Sequence, residues 1–200
     1  MPSAACCGAE GSDPTSLAVV ALGASLGDRG AQLALALRLL ELSPGLRVLR
    51  ASRLYRTPPW GGVARNWFLN GAVLLSSALE PVALLRVCQG IERRLGRSPG
   101  RRWGDRAVDL DLVWVEGAVV ESPELRLPHP GLAARSFVVR PLADVLPDAR
   151  DPHSGRRILD LHAQLGPAAT FPRPVAVGLL RPTARSRGDI WCDPPASEPP

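Results

Sequence analysis

Residues 101–115 read RRWGDRAVDLDLVWV, and two of them, Asp109 and Asp111, interrupt an otherwise apolar stretch. Side chains alternate across a strand, so carboxylates at i and i+2 project from one face, roughly 6–7 Å apart. From that face they can hold one or two hard cations. Magnesium suits them, because it prefers oxygen ligands and usually takes only one or two carboxylates beside phosphates. Val108, Leu110, Leu112 and Trp114 fall on the opposite face. The same spacing also fits two aspartates wetting an exposed sheet face, and the pair alone does not separate these readings.

Arginines supply the second half of the chemistry. Arg101, Arg102 and Arg106 lie just upstream in a glycine-containing loop, Arg97 a little further back, and Arg135 follows PHPGLAA. Guanidinium forks match phosphate oxygens bidentately. Arginines on the oxygens with aspartates on the metal is an arrangement suited to a polyphosphate. A solvated charged loop is the plainer alternative. A second island, YRTPPWGG followed by WFLN, offers Trp60 and Phe68 to stack on a flat ring and Asn70 to pair with a heterocycle edge. A structural turn with core aromatics would need the same residues. His129 in LPHP reads as a phosphate contact or as the closure of a turn. The sequence contains no Walker A loop.

These residues need a scaffold, and the apolar pattern supplies one. Residues 17–22 form a valine-rich run that predicts a buried strand, and Asp28 is placed to cap a helix over 29–42. A strand over 46–55 breaks at TPPWGG, a third covers 68–76, and a helix over 80–95 opens at Pro81 and closes at Gly96. The fourth strand, 108–115, carries the aspartates, and EGAVV continues it into a hairpin or short extension. Short helices are expected afterwards, the last over 158–165. Strand, helix, strand, strand, helix, strand predicts a ferredoxin-like α+β sandwich. Its four-stranded antiparallel sheet has helices on both sides, including the short C-terminal ones.

Composition bounds the partners. With 46% hydrophobic and 22% charged residues the chain reads as one soluble globular domain over 17–165. A disordered leader is expected over 1–16 and a Pro-rich disordered tail over 166–200. No apolar run reaches the roughly 18 residues of a membrane span, so no membrane partner is expected. Cys6, Cys7, Cys88 and Cys192 form neither a disulfide framework nor a zinc-ligand spacing, which favours a reducing, cytoplasmic setting. The net charge of +5 suits nucleic acid or a small anionic substrate equally.

Taken in order, LGASLGDR, SRLYRTPPWGG, FLNGAVLL, CQGIERRLGR, RRWGDRAVDLDLVW and LPHPGLAARSFVVRPLADVLPD resemble the 6-hydroxymethyl-7,8-dihydropterin pyrophosphokinases of folate biosynthesis, collinearly over about 17–160. That resemblance implies a ferredoxin-like fold and transfer of the terminal pyrophosphate of ATP to the pterin hydroxymethyl group, leaving AMP. It implies two magnesium ions on Asp109 and Asp111, with Arg102 and Arg106 also catalytic. ATP would lie along Gln89, Glu92, Arg102, Trp103, Arg106, Leu112, His129 and Arg135. Thr57, Pro58, Pro59, Trp60, Phe68, Asn70 and Phe137 would surround the pterin. The implied partners are these small-molecule substrates, with no nucleic acid and no membrane, and a monomer is expected. The chain departs from the family at Ala24-Ser25, where Ser-Asn is usual, and in the loop GGVARNW, which lacks the usual glutamine-proline.

Two further readings stay open: a catalytically impaired relative serving as a binding scaffold, and a ferredoxin-like nucleic-acid-binding module. Aromatic residues are only 4%, and the two aspartates would repel a phosphate backbone without metal, which weighs against the module. AMP formation that requires the pterin, ATP and magnesium together separates all three. The domain limits carry their own test. A chain ending near Gly166 should keep its cooperative unfolding and its activity, and loss of cooperativity in a denaturation curve would show that the tail packs on the core.

Overall fold

A computed structural model of the chain describes residues 15–59, 61, 63–97, 104–165 and 174–175. The leader expected over 1–16 lies outside the described residues except for its last two, and the tail expected over 166–200 lies outside them except for Pro174–Val175. Trp60, Arg101, Arg102 and Trp103 also lie outside them.

The chain order is β1 (Ser16–Ala24), α1 (Arg29–Glu41), β2 (Leu46–Ala51), β3 (Leu54–Thr57), β4 (Phe68–Ser77), α2 (Pro81–Arg94) and β5 (Asp109–Val115). After these come β6 (Val120–Glu121), β7 (Arg126–Leu127), α3 (Ser136–Val145), α4 (Ile158–Gln164) and β8 (Pro174–Val175). The main sheet is antiparallel in the order β5-β1-β4-β3-β8, with β2 also pairing β4. This is the expected ferredoxin-like arrangement, with the first strand between the third and the last.

The helices form where capping and apolar spacing direct. The Asp28 carboxylate accepts the Ala31 amide at 3.0 Å, and Leu33, Ala36, Leu37 and Leu40 turn one face of α1 inward. Pro81 opens α2, which buries Leu84, Cys88 and Ile91. These two helices cover one face of the sheet, packing on Ala18, Val20, Leu22, Leu110 and Leu112. On the other face Val138, Val139, Leu142 and Val145 of α3 and Ile158 and Leu161 of α4 pack against Val19, Ala72 and Leu74.

Three details differ from expectation. The strand predicted over 46–55 is two strands, because its middle turns to other partners. Ser52 exchanges bonds with Ala72 through both its amide and its hydroxyl, at 2.9 and 2.8 Å, while the Arg53 amide leaves the sheet for Asp144 on α3 at 3.2 Å. Trp114 does not share the face of Leu112. A bulge opposite Val19/Val20 inserts Val113 into β5 and sends Trp114 to the α3 side. The main sheet exceeds the four strands expected, since β8 adds to β3, while EGAVV enters the hairpin of its two expected continuations, Val120–Glu121 pairing with β7.

The Asp144 carboxylate fastens α3 to β3. Besides the Arg53 amide it accepts from Arg53 Nε and Nη2, at 3.3 and 2.7 Å, and from the Tyr55 hydroxyl at 2.5 Å. Burial first, and then this carboxylate, push the Tyr55 hydroxyl pKa up to about 12. Asp144→Ala would leave the buried Tyr55 hydroxyl without its acceptor and should cost about 1–3 kcal/mol. Urea denaturation checks this, and an unchanged midpoint would show that the clamp contributes nothing.

Candidate active site

Four strand ends meet at one edge of the sheet. Gly23, next to last in β1, pairs with both Asn70 of β4 and Asp109 of β5, while Thr57 of β3 pairs with Phe68. Over this edge lies a cavity of about 390 Å³ lined by Gly23, Thr57, Pro58, Phe68, Asn70, Arg97, Gly104, Arg106, Asp109, Asp111, His129, Arg135 and Phe137. Its polar and apolar residues are sorted by element. Strands β3 and β4 with α3 supply a flat-sided end formed by Thr57, Pro58, Asn70 and the two phenylalanines. Strand β5 and the loops around it supply charge.

At the charged end, Arg106 Nη1 binds Asp109 Oδ1 at 2.5 Å, and Arg97 Nη1 reaches the same oxygen at 2.9 Å. Arg97 is also paired with Glu92, a side chain only 5% exposed, whose Oε1 accepts the Leu110 amide at 2.8 Å. Burial is the main force raising the Glu92 pKa, opposed by the Leu110 amide and by Arg97. Asp111 has no such neutralising contact among the described residues. Burial, then the charges of Asp109 and Glu92, push its carboxyl up to about 7 against the weaker pull of Arg106 and Arg97.

A divalent cation would relieve this site. It would offset the repulsion between Asp109 and Asp111 and repay the burial of Asp111, and both side chains line the same cavity. No group of three or more His, Cys, Asp or Glu residues that could hold a metal occurs among the described residues. Two carboxylates on a strand next to arginines therefore fit magnesium arriving with phosphate oxygens better than a metal held by protein ligands alone.

The remaining walls are also built locally. His129 is tied to β5 by its amide, which donates to the Val113 carbonyl at 2.9 Å. Its Nδ1 accepts the Gly131 amide at 3.0 Å, so the neutral ring carries its proton on Nε2. Burial, followed by Arg135, lowers its pKa. A Cβ at Gly131 would stand 2.7 Å from Arg135 Cδ and Nε, so glycine lets that side chain lie close across it. Asn70 Nδ2 donates to Thr57 Oγ1 at 2.7 Å, and a Cβ on Gly23 would come within 3.1 Å of Asn70 Oδ1. Gly23 thus keeps the floor open beneath the amide.

Of the residues singled out in the sequence, Thr57, Pro58, Phe68, Asn70, Arg106, Asp109, Asp111, His129, Arg135 and Phe137 come together around this cavity. Pro59, Gln89, Glu92 and Leu112 do not line it. Leu112 is buried in the core beneath α1 and α2, and Glu92 is turned under β5. Arg102, Trp103 and Trp60 fall outside the described residues. Arg97, grouped in the sequence with the phosphate-binding arginines but given no place along the nucleotide, lines the cavity, as do the unassigned Gly23 and Gly104. The proximity of Arg97 to the charged loop hinted at its place, while nothing in the local pattern marked Gly23.

On this antiparallel ferredoxin-like sheet one cavity gathers a carboxylate pair and several guanidinium groups. The sequence matches the family described as 7,8-dihydro-6-hydroxymethylpterin-pyrophosphokinase over residues 19–147. A 2-amino-4-hydroxy-6-hydroxymethyldihydropteridine pyrophosphokinase of Methylorubrum extorquens is 47% identical over 131 residues, covering 66% of this chain and 83% of that protein. One from Synechocystis is 38% identical over 162 residues, covering 81% and 82%. The folic acid synthesis protein fol1 of Schizosaccharomyces pombe is 40% identical over 138 residues, 69% of this chain but 19% of that much longer protein. Among solved structures, a Plasmodium falciparum HPPK-DHPS aligns with TM-score 0.60 at 15% identity over 78% of this chain and 46% of that one, a likeness of fold. The chain belongs to the 7,8-dihydro-6-hydroxymethylpterin-pyrophosphokinase family.

The raised pKa of Asp111 makes a pH-dependent prediction for the protein kept metal-free with chelator. The folded-state value, about 7, lies above the ordinary 3.8, so ionising this group opposes folding. That penalty is absent below about 3.8 and complete above about 7. Asp111→Asn should therefore raise the melting temperature at pH 8, and the gain should shrink as the pH falls from 7 toward 4. A gain that is the same at all pH values would show that Asp111 is not held against its charge.

Proposed function

We propose that this chain transfers the terminal pyrophosphate of ATP to the hydroxymethyl group of 6-hydroxymethyl-7,8-dihydropterin, leaving AMP and the pterin diphosphate. The observation that carries this reading is the convergence of Asp109, Asp111 and the arginines with Asn70 and two phenylalanines around one cavity. Family membership supplies the substrates. The absence, among the described residues, of a helix able to cross a membrane accords with action on small molecules in water. We place the reaction in the cytoplasm, on the scattered cysteines and the buried free thiol of Cys88.

Each residue then has a physical task. Phe68 and Phe137 would bracket the flat pterin ring, with Asn70 Oδ1 and the second Nδ2 hydrogen offered to its edge. Thr57 Oγ1 fixes the orientation of the Asn70 amide, which limits the reorganisation required on binding. Arg106 and Arg135 would take phosphate oxygens, together with Arg102, and His129 Nε2–H would donate to another. Asp109 and Asp111 would hold two magnesium ions. Those ions, when bound, would neutralise phosphate charge and acidify the attacking hydroxyl. Asp109 would exchange its contacts with Arg97 and Arg106 for the metal, leaving both guanidinium groups available to the triphosphate. Positioning and charge complementarity do the work, and the chain needs no covalent intermediate.

The test is AMP release from ATP, measured with and without pterin and magnesium. Formation of AMP only when all three are present supports the proposal; ATP turnover without pterin, or none at all, overturns it. Asp109→Ala or Asp111→Ala should reduce turnover by roughly 10²–10⁴, the range for losing one preorganised electrostatic element. Nucleotide binding should weaken less, since the arginines remain. Leu110→Ala, on the opposite face, should cost about 2–5 kcal/mol of stability with little direct effect on metal dependence. Normal turnover of the aspartate variants at limiting magnesium would mean that β5 is not the metal site.

A further inference from the structure

One carboxylate at the rim of the cavity has no part in the assignments above. Asp105 lies between Gly104 and Arg106, both of which line the charged end. Its Oδ2 accepts the amide of Arg65 at 3.2 Å and its Oδ1 the amide of Asn66 at 3.1 Å. Those two residues lead through Trp67 into Phe68, an aromatic wall of the same cavity. A carboxylate receiving two consecutive backbone amides from a segment about 40 residues away in sequence is a bridge between loops.

Both ends of this bridge are anchored. On the arginine side, Ser25 Oγ accepts the Arg106 amide at 2.8 Å, and the amides of Ser25 and Leu26 donate to the Arg106 carbonyl at 2.9 and 3.1 Å. On the aromatic side, Arg29 Nη1 donates to the Trp67 carbonyl at 2.8 Å, and Arg56 stacks 4.8 Å over the Trp67 ring. Ser25 and the carboxylate at 105 together fasten the segment after β1 to the loop that leads into β4.

We infer that Asp105 is a positioning residue for the transfer reaction, holding the Phe68 wall and the Arg106 loop in fixed relation, so that both substrate ends of the cavity depend on one bridge. This inference rests on the reading of the cavity given under Proposed function. The Asp105 carboxylate stays ionised in this role. Desolvation is the largest single influence on it and raises its pKa, but the amides of Arg65 and Asn66, with the side chains of Ser25 and Asn66, together hold it below the usual carboxylate range. The group belongs to neither hydrophobic core, so its replacement leaves both untouched.

The experiment has two arms on the full chain. Amide hydrogen exchange, read by NMR without any substrate, should show Arg65 and Asn66 protected in the parent protein and about tenfold less protected in Asp105→Ala. Steady-state kinetics of AMP formation should show KM raised about three- to thirtyfold for both pterin and ATP in Asp105→Ala, with kcat changed less, and Asp105→Glu recovering part of both. A melting temperature within a few degrees of the parent excludes general loosening. Unchanged exchange at 65–66, or a rise in only one KM, overturns the inference. If the parent protein makes no AMP, the proposed reaction fails, while the exchange arm still decides whether the bridge exists.

Discussion

An ionised carboxylate buried in a protein interior must be solvated by something other than water, and β5 brings two carboxylates to a cavity floor with a third, Glu92, directly beneath. Much of this protein's architecture answers that demand. Glu92 is satisfied by the Leu110 amide and by Arg97, and Arg97 extends the chain of charge to Asp109, which Arg106 also holds. Asp111 is the member left over. Its burial is tolerated by a raised pKa, and a cation beside it would relieve the repulsion from Asp109 and Glu92. The unbalanced carboxylate is thus a cost to the folded protein that a cation-bearing ligand would offset.

The sheet is what makes that geometry possible. Antiparallel pairing of β1 with both β4 and β5 places Gly23 level with Asn70 on one side and Asp109 on the other. The Asn70 amide and the Asp109 carboxylate are therefore separated by a single strand, and the central residue is one without a side chain to fill the gap. Helix α3 completes the enclosure by bringing Arg135 and Phe137 to the cavity from its first turn. Asp144 further along the same helix holds Arg53 and Tyr55 of the neighbouring edge. The aromatic wall on α3 and the Thr57–Pro58 wall at the end of β3 consequently belong to one rigid unit.

How much of this could be read from the chain follows from the range of the forces involved. Helices α1 and α2 were readable because Asp28 and Pro81 mark their starts and the apolar residues repeat at helical spacing. The facing of Asp109 and Asp111 followed from strand alternation. The same rule failed five residues later at Trp114, because a bulge depends on the partner strand, and β1 lies some ninety residues away. The break in the strand over 46–55 escaped for a similar reason: a carboxylate on α3 draws the Arg53 amide out of the ladder. Gln89, Glu92 and Leu112 were grouped with the nucleotide by family resemblance, yet Glu92 and Leu112 point beneath the strand, where burial decides their neighbours.

The same distinction separates residues that line the cavity from residues that hold others in place. Lining residues cluster in motifs, because turns and strand ends bring neighbours in sequence to one cavity: Thr57 with Pro58, Phe68 with Asn70, Arg106 with Asp109 and Asp111. Positioning residues act through backbone amides far along the chain, as Asp144 does on Arg53 and Asp105 on Arg65 and Asn66. A backbone amide carries no side-chain identity, so such a partnership leaves no signature at the donor's position. The segment around Ser25 and the loop around Arg65 and Asn66 are therefore held largely through their backbones. Ser25 still receives the Arg106 amide, and the Arg65 and Asn66 amides are available to a carboxylate whatever side chains those residues bear. What has to be retained is the set of donors and acceptors at the strand ends, and this fold delivers that set by register.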